Sequence, residues 1–138
     1  MTADPMEGAE VNEAQAFVES WSKIWRGPDS DPELYMELLH EGCPLINPVS
    51  EIRREDLPGF MQGLLETEPD IRVTATRWAE TDDGVLIEWV NTGTLAGRPI
   101  EIRGADRFTL RDGRATEGYA YFDPRPLLSG AATGGSDD

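Results

Sequence analysis

The chain has one cysteine, one histidine and few bases, and each scarcity excludes a class of chemistry. With Cys43 alone, no disulfide forms within the chain. His40 without a companion leaves none of the Cys/His spacings of zinc or haem sites, so no metal and no cofactor is expected. The 12 Lys and Arg against 27 Asp and Glu give a formal net charge of -15. Such a surface repels phosphate backbones and anionic headgroups, which argues against nucleic-acid and membrane partners. No apolar run is long enough for a signal segment or a membrane span, and the expected location is cytoplasmic. Neither a phosphate-cradling glycine loop nor a G-x-S-x-G elbow occurs.

What remains is enough for one domain. A chain of 138 residues with 38% hydrophobic content suits a single core. Residues 1–10 lack apolar periodicity and residues 129–138 have linker composition, so both read as disordered tails around a folded part at 11–128. Asn12 and Gln15 have the form of a capping box. Phe17, Val18, Trp21, Ile24 and Trp25 then recur at helical spacing up to Gly27-Pro28. Asp31-Pro32 opens a second helix, with Leu34, Tyr35, Leu38 and Leu39 inward, ending near His40 with Gly42 as its left-handed terminator. A short strand at 44–46 leads into Asn47-Pro48. A third helix is expected at 55–65, with Leu57, Phe60, Met61, Leu64 and Leu65 inside and Pro58 in its first turn.

From Ile71 the period switches to two, and Asp83-Gly84, Ala96-Gly97 and Asp112-Gly113 divide the rest into a four-stranded antiparallel meander. Helices first and strands afterwards is the order of an α+β domain with helices on one face of a curved sheet. In the run from Ile100 to Leu110 the even positions read Ile100, Ile102, Gly104, Asp106, Phe108, Leu110. This is strand alternation with one acid on the apolar side. A carboxylate placed there must be hydrogen-bonded, paired or protonated, which makes Asp106 the candidate for chemistry.

The inward set on the preceding strand is Val85, Ile87, Trp89, Asn91, Gly93 and Leu95; on the last strand it is Thr116, Gly118, Ala120 and Phe122. Because Gly104, Gly118 and Ala120 are small, an unfilled apolar space beside Asp106 is expected. The outer face carries Leu86, Val90, Tyr119 and Tyr121, which suggests pairing with a second subunit as a homodimer. A bulge at Gly93 or Gly104 would invert part of this assignment.

Three helices, a short strand ending in an x-Pro turn, and a meander containing Ala105-Asp106-Arg107-Phe108-Thr109-Leu110-Arg111-Asp112-Gly113 and closing on Tyr121-Phe122-Asp123-Pro124 resemble the SnoaL-like proteins of the nuclear-transport-factor-2-like superfamily. The resemblance implies a cone-shaped cystatin-like α+β barrel, with three N-terminal helices packed on the concave face of an antiparallel sheet and a pocket between the layers. It also implies a common dimer through the outer face. Folds of this kind host isomerases, cyclases, dehydratases, hydrolases and proteins without catalysis.

By the same resemblance, Asp106 falls where polyketide cyclases of the family keep an acid/base aspartate and where ketosteroid isomerase keeps a protonated aspartic acid. The isomerase's base would lie at Asn47, which cannot shuttle a proton. Its oxyanion tyrosine falls near Trp21, whose indole donates without titrating. Limonene-type epoxide hydrolases would need an arginine and two aspartates where this chain has Trp89, Asn91 and Ala120, so that activity is rejected. The cyclases' auxiliary histidine is missing as well, leaving a single-acid mechanism.

The leading reading is a small cofactor-free enzyme acting on a hydrophobic, oxygenated small molecule by cyclisation, isomerisation or dehydration. Asp106 exchanges a proton alpha to a carbonyl, and the substrate is bound by Trp21, Tyr35, Asn47, Trp89, Asn91, Gly104, Phe108, Gly118 and Ala120. The competing structural reading has Asp106 satisfied by Trp21, Asn91 or an arginine, Asn47 serving a turn, and the aromatics serving as plain core. The alternative function is a non-catalytic ligand-binding or dimerisation module; a third is an accessory subunit of a larger complex. His40 is expected to complement the end of the second helix. Cys43 reads as an inert buried thiol, and Glu88 as a cross-strand partner of Arg103 or Arg107.

Overall fold

In the computed structural model, which describes residues 13–127, the N-terminal apolar stripe forms a shorter helix than its spacing predicts. Helix α1 covers Glu13–Trp21 and buries Ala14, Phe17, Val18 and Trp21 on one face. Asn12, half of the expected capping box, lies outside the described residues. Ile24 and Trp25 are buried as expected but are not helical. Here the backbone is diverted into pairing with the start of the meander: Val73 N–H donates to the Trp25 carbonyl (3.2 Å) and Gly27 N–H to that of Ile71 (2.6 Å). Gly27, at φ +55°, lets the chain turn there. The stripe therefore records burial, and only its first half records a helix.

Helix α2 covers Pro32–Glu37, opened by Asp31, whose side chain accepts from Leu34 N–H (3.0 Å). It ends three residues before His40. Leu38 and Leu39 are buried beyond it, and Leu38 and His40 pair their backbones with Ala115 (both 2.8 Å). Gly42 adopts the left-handed conformation (φ +72°) in the following turn. Strand β1, Pro44–Asn47, then pairs in an antiparallel hairpin with β2, Ser50–Arg53. The sequence reading lacks β2 because its four residues contain one apolar side chain, too short a pattern for alternation to show. A single 3-10 turn at Arg54–Asp56 leads into α3, Leu57–Thr67, with Pro58 in its first turn and Leu57 and Met61 buried.

The meander is β3 (Arg72–Thr81), β4 (Gly84–Leu95), β5 (Arg98–Arg111) and β6 (Arg114–Phe122), all antiparallel. Ala96-Gly97 and Asp112-Gly113 each have both residues at positive φ, the two-residue turn whose twist suits a hairpin. The first turn falls at Asp82-Asp83, one residue before its expected place, and Gly84 already belongs to β4. Parallel pairing of β1 with β6 completes a six-stranded sheet in the order β2-β1-β6-β5-β4-β3. The sheet is curved and unclosed, with the helices against one face.

Burial follows the predicted faces on β4 and β5: Val85, Ile87, Trp89, Leu95, Ile102, Asp106 and Phe108 are all buried. On β6 the expectation fails at one residue. A bulge opposite Thr109 and Leu110 makes Thr116 the extra residue and turns Ala115 inward instead, while Gly118 stays on the inner side. A second irregularity lies between Ala75 and Arg77, so the bulges fall at neither Gly93 nor Gly104.

Candidate active site

The inner face of β4, β5 and β6 and the helices enclose a cavity of about 220 Å³. Its floor is Trp89, Asn91, Ile102, Asp106, Phe108, Gly118 and Ala120; its opposite wall includes Trp21, Tyr35, Leu57, Phe60 and Leu64 from the helices and Trp25 from the segment after α1. The expected residues Trp21, Tyr35, Asn47, Trp89, Asn91, Phe108, Gly118, Ala120 and Asp106 are thus brought together around one space. Gly104 is not among the lining residues. It lies under the Trp89 indole, and a Cβ there would meet the ring at 2.7 Å and the Tyr121 carbonyl at 2.6 Å. Its lack of a side chain seats the indole.

Asp106 is 8% exposed. Its Oδ1 accepts a hydrogen bond from Trp89 Nε1 at 2.9 Å. The register explains the contact: Trp89 pairs with Gly104 and Ile87 with Asp106, so Trp89 and Asp106 are diagonal neighbours on one face. The donor is therefore Trp89, in place of the Trp21, Asn91 or arginine of the structural reading. Burial pushes the Asp106 carboxyl up to about 7, the Trp89 N–H pulling the other way. No Arg, Lys or His lines the cavity among the described residues, so nothing there neutralises a carboxylate.

Tyr35 stands near this acid, and Trp21 lines the same cavity beside Tyr35. The Tyr35 hydroxyl is held well above its ordinary range by burial first and by the nearby Asp106 charge second, with the Trp21 indole opposing. It therefore keeps its proton and remains a donor. Trp21 Nε1 is buried and has no hydrogen bond of acceptable geometry. The Trp21 indole faces the Tyr35 hydroxyl, and Tyr35 is the donor near the titratable acid.

Glu68 is a second buried acid that sequence reasoning missed. It follows the last turn of α3, is 2% exposed and lines the same cavity. Burial pushes its carboxyl up to about 7; the Asn91 side chain, by hydrogen bonding, works against this, and Asp70 adds to it. In sequence it sits in the polar run Glu66-Thr67-Glu68-Pro69-Asp70, where an acid carries no periodicity signal. The one trace is Gly93, an inward strand position with no side chain, against which the Glu68 carboxylate lies.

Asn47 lines the mouth, but its Oδ1 accepts from Val49 N–H (2.8 Å), Ser50 N–H (2.9 Å) and Ser50 Oγ (3.3 Å), capping the β1–β2 turn. His40 Nε2 bonds the Arg111 carbonyl at 2.7 Å, fastening the β5–β6 turn instead of capping a helix that ended earlier. Glu88 pairs with Arg77 on β3 (3.7 Å), because the register sets them opposite; Arg103 bonds Glu101 and Arg107 lies over Tyr119. Cys43 is buried and free, and burial pushes its thiol up to about 11. Among the described residues, no group of three or more His, Cys, Asp or Glu side chains is placed to hold a metal ion, and no helix is long and apolar enough to cross a membrane.

A curved, unclosed sheet wrapped on helices around an acid-bearing cavity is the nuclear-transport-factor-2-like cone, and the sequence agrees. The chain belongs to the SnoaL-like domain family, whose model matches residues 8–118. It is similar to a protein of ketosteroid isomerase-like fold from Catenulispora acidiphila, crystallised in complex with trimethylamine. The two are 21% identical with a TM-score of 0.73, over 84% of this chain and 92% of that one. A candidate SnoaL-like polyketide cyclase from Jannaschia is 18% identical with a TM-score of 0.70, over 86% and 91%. TerC, co-crystallised with polyporic acid, is 16% identical with a TM-score of 0.69, over 86% and 95%. At these identities the likeness is one of fold. No curated protein matches the chain.

Proposed function

We propose that this protein is a cofactor-free SnoaL-like enzyme that uses Asp106 for proton transfer alpha to a carbonyl of a hydrophobic, oxygenated small molecule, in a cyclisation, isomerisation or dehydration. The observation that carries the reading is a buried carboxyl, poised near neutrality by apolar walls, on the floor of a cavity. In its ionised form Asp106 takes the proton from carbon, and the bonding pair moves onto the carbonyl oxygen as an enolate. The neutral Tyr35 hydroxyl and the Trp21 N–H supply the hydrogen bonds that charge requires. Asp106, now protonated, returns the proton to carbon or to a leaving oxygen, so the acid ends each turnover as it began. The apolar lining suits a flat ring system, and the volume, below the roughly 300–1,000 Å³ of drug-sized sites, suits two or three rings.

Exchange of the α-hydrogens of β-tetralone into heavy water, followed by proton NMR, tests the reaction without a cognate substrate. Wild type is expected to accelerate exchange with a rate that rises with pH to a plateau above about 7. Asp106→Asn is expected to lose that acceleration. Bound ketone without exchange in wild type would establish the binding-module alternative. The reading extends to a homodimer through the outer sheet face, where Tyr121 is 50% exposed and stacks on Tyr119; sedimentation at micromolar concentration checks it.

A further inference from the structure

The end of the cavity away from Asp106 holds two acceptors with nothing bound to them. Glu68 Oε2 and Asn91 Oδ1 are both buried and without a hydrogen-bond partner. The Asn91 amide already faces Glu68, where it favours the ionised carboxylate. Its nitrogen is thereby committed and its oxygen is the atom left over.

An ionised acid at this place is costly to the fold. It is buried, it caps the C-terminal end of a helix where the macrodipole disfavours negative charge, and Asp70 is near enough to disfavour it further. No cation lines the cavity among the described residues. The strand opposite nevertheless makes room for it, since a Cβ on Gly93 would collide with the carboxylate. Buried acceptors left open in pairs on a cavity wall are complementary to a donor.

We propose that Glu68 and Asn91 form a second polar subsite, which receives a hydroxyl or amino hydrogen-bond donor at the far end of the ligand. The placement of that ligand's reacting carbon at Asp106 rests on the function proposed above. The subsite itself does not. Asn91 pairs with Ile102 and Asp106 with Ile87, four residues further along β5, so the two positions stand about 13 Å apart at strand rise. The ligand is accordingly elongated, with an enolisable ketone at one end and an N–H or O–H at the other. Acidic groups at both ends and the lack of any base select against carboxylate and phosphate substrates.

The test compares β-tetralone derivatives carrying a hydroxyl, an amino or a methoxy group on the ring far from the ketone, by quenching of the cavity tryptophans on binding. A charge-assisted hydrogen bond predicts that the hydroxy or the amino compound binds wild type about tenfold more tightly than the methoxy compound, and the stronger of the two identifies the donor. Glu68→Met and Asn91→Leu, each checked for native circular dichroism, are expected to bring that ratio to about one. Asp106→Asn is expected to abolish α-exchange and keep the ratio, so the two readings fail separately. Equal binding of all three compounds, no binding below about 1 mM, or a ratio that survives in both folded variants overturns the subsite.

Discussion

Asp106 and Glu68 are the same kind of group, buried against the same cavity, and they are held by opposite kinds of backbone. Asp106 projects from the middle of a long strand and has its hydrogen bond from Trp89. Glu68 hangs from a helix terminus with one oxygen unpartnered. Burial lifts both carboxyls to about 7, yet only Asp106 has the Tyr35 hydroxyl nearby. An acid becomes a proton carrier when donors stand ready for the charge it creates on the substrate. Without them, the same acid is suited to holding a ligand in register.

The sharpest way to break this contrast is to remove each acid in turn and read α-hydrogen exchange. Asp106→Asn is expected to lower the rate of β-tetralone exchange by about a thousandfold, within the range seen for a general base. Comparable loss in Glu68→Gln would mean that both ends do chemistry and that the division drawn above is false. Next in size, Tyr35→Phe removes one enolate donor and is expected to lower exchange about a hundredfold with little change in ketone affinity. Unchanged exchange there would shift the donor role onto Trp21 alone.

Stability measures the two acids together. Both carboxyls titrate higher in the folded chain than in the unfolded one, so the folded state holds more protons between pH about 4 and 7. Stability is complete below the unfolded values and is lost as pH rises through about 7. The melting temperature is expected to fall by about 10 °C between pH 5 and 8, and Asp106→Asn or Glu68→Gln should each remove part of that fall. A flat profile in wild type would show that neither acid is desolvated in solution. The smallest effect is the finest test: Trp89→Phe deletes the one hydrogen bond that favours ionised Asp106, and the midpoint of the exchange profile should move up by about one unit.

Much of the fold was legible because periodicity reports which side of an element is buried, and that rule does not depend on distant partners. The inward acid on β5, the small residues beneath the helices and the two positive-φ turns were readable in this way. The failures share a cause. Ile24 and Trp25 kept their burial and lost their helix because pairing with Ile71 and Val73 diverted the backbone. Thr116 lost its inward place to a bulge, and Glu88 found Arg77 because β3 supplied the nearer partner. Gly104 is small for the sake of the Trp89 ring. Glu68 carried no pattern, since its neighbours in sequence are polar and its neighbours in space come from β4.

By itself the sequence determined the order of helices and strands, the faces of the meander and the presence of one acid among apolar side chains, because each follows from short-range spacing and the cost of burying charge. Only the tertiary structure decided what that acid touches. Strand register set Trp89 on Asp106, and packing α1, α2 and α3 on the sheet brought Tyr35 near it and Trp21 and a helix-end glutamate to the same cavity. These are contacts between residues far apart in the chain, and no local pattern encodes them.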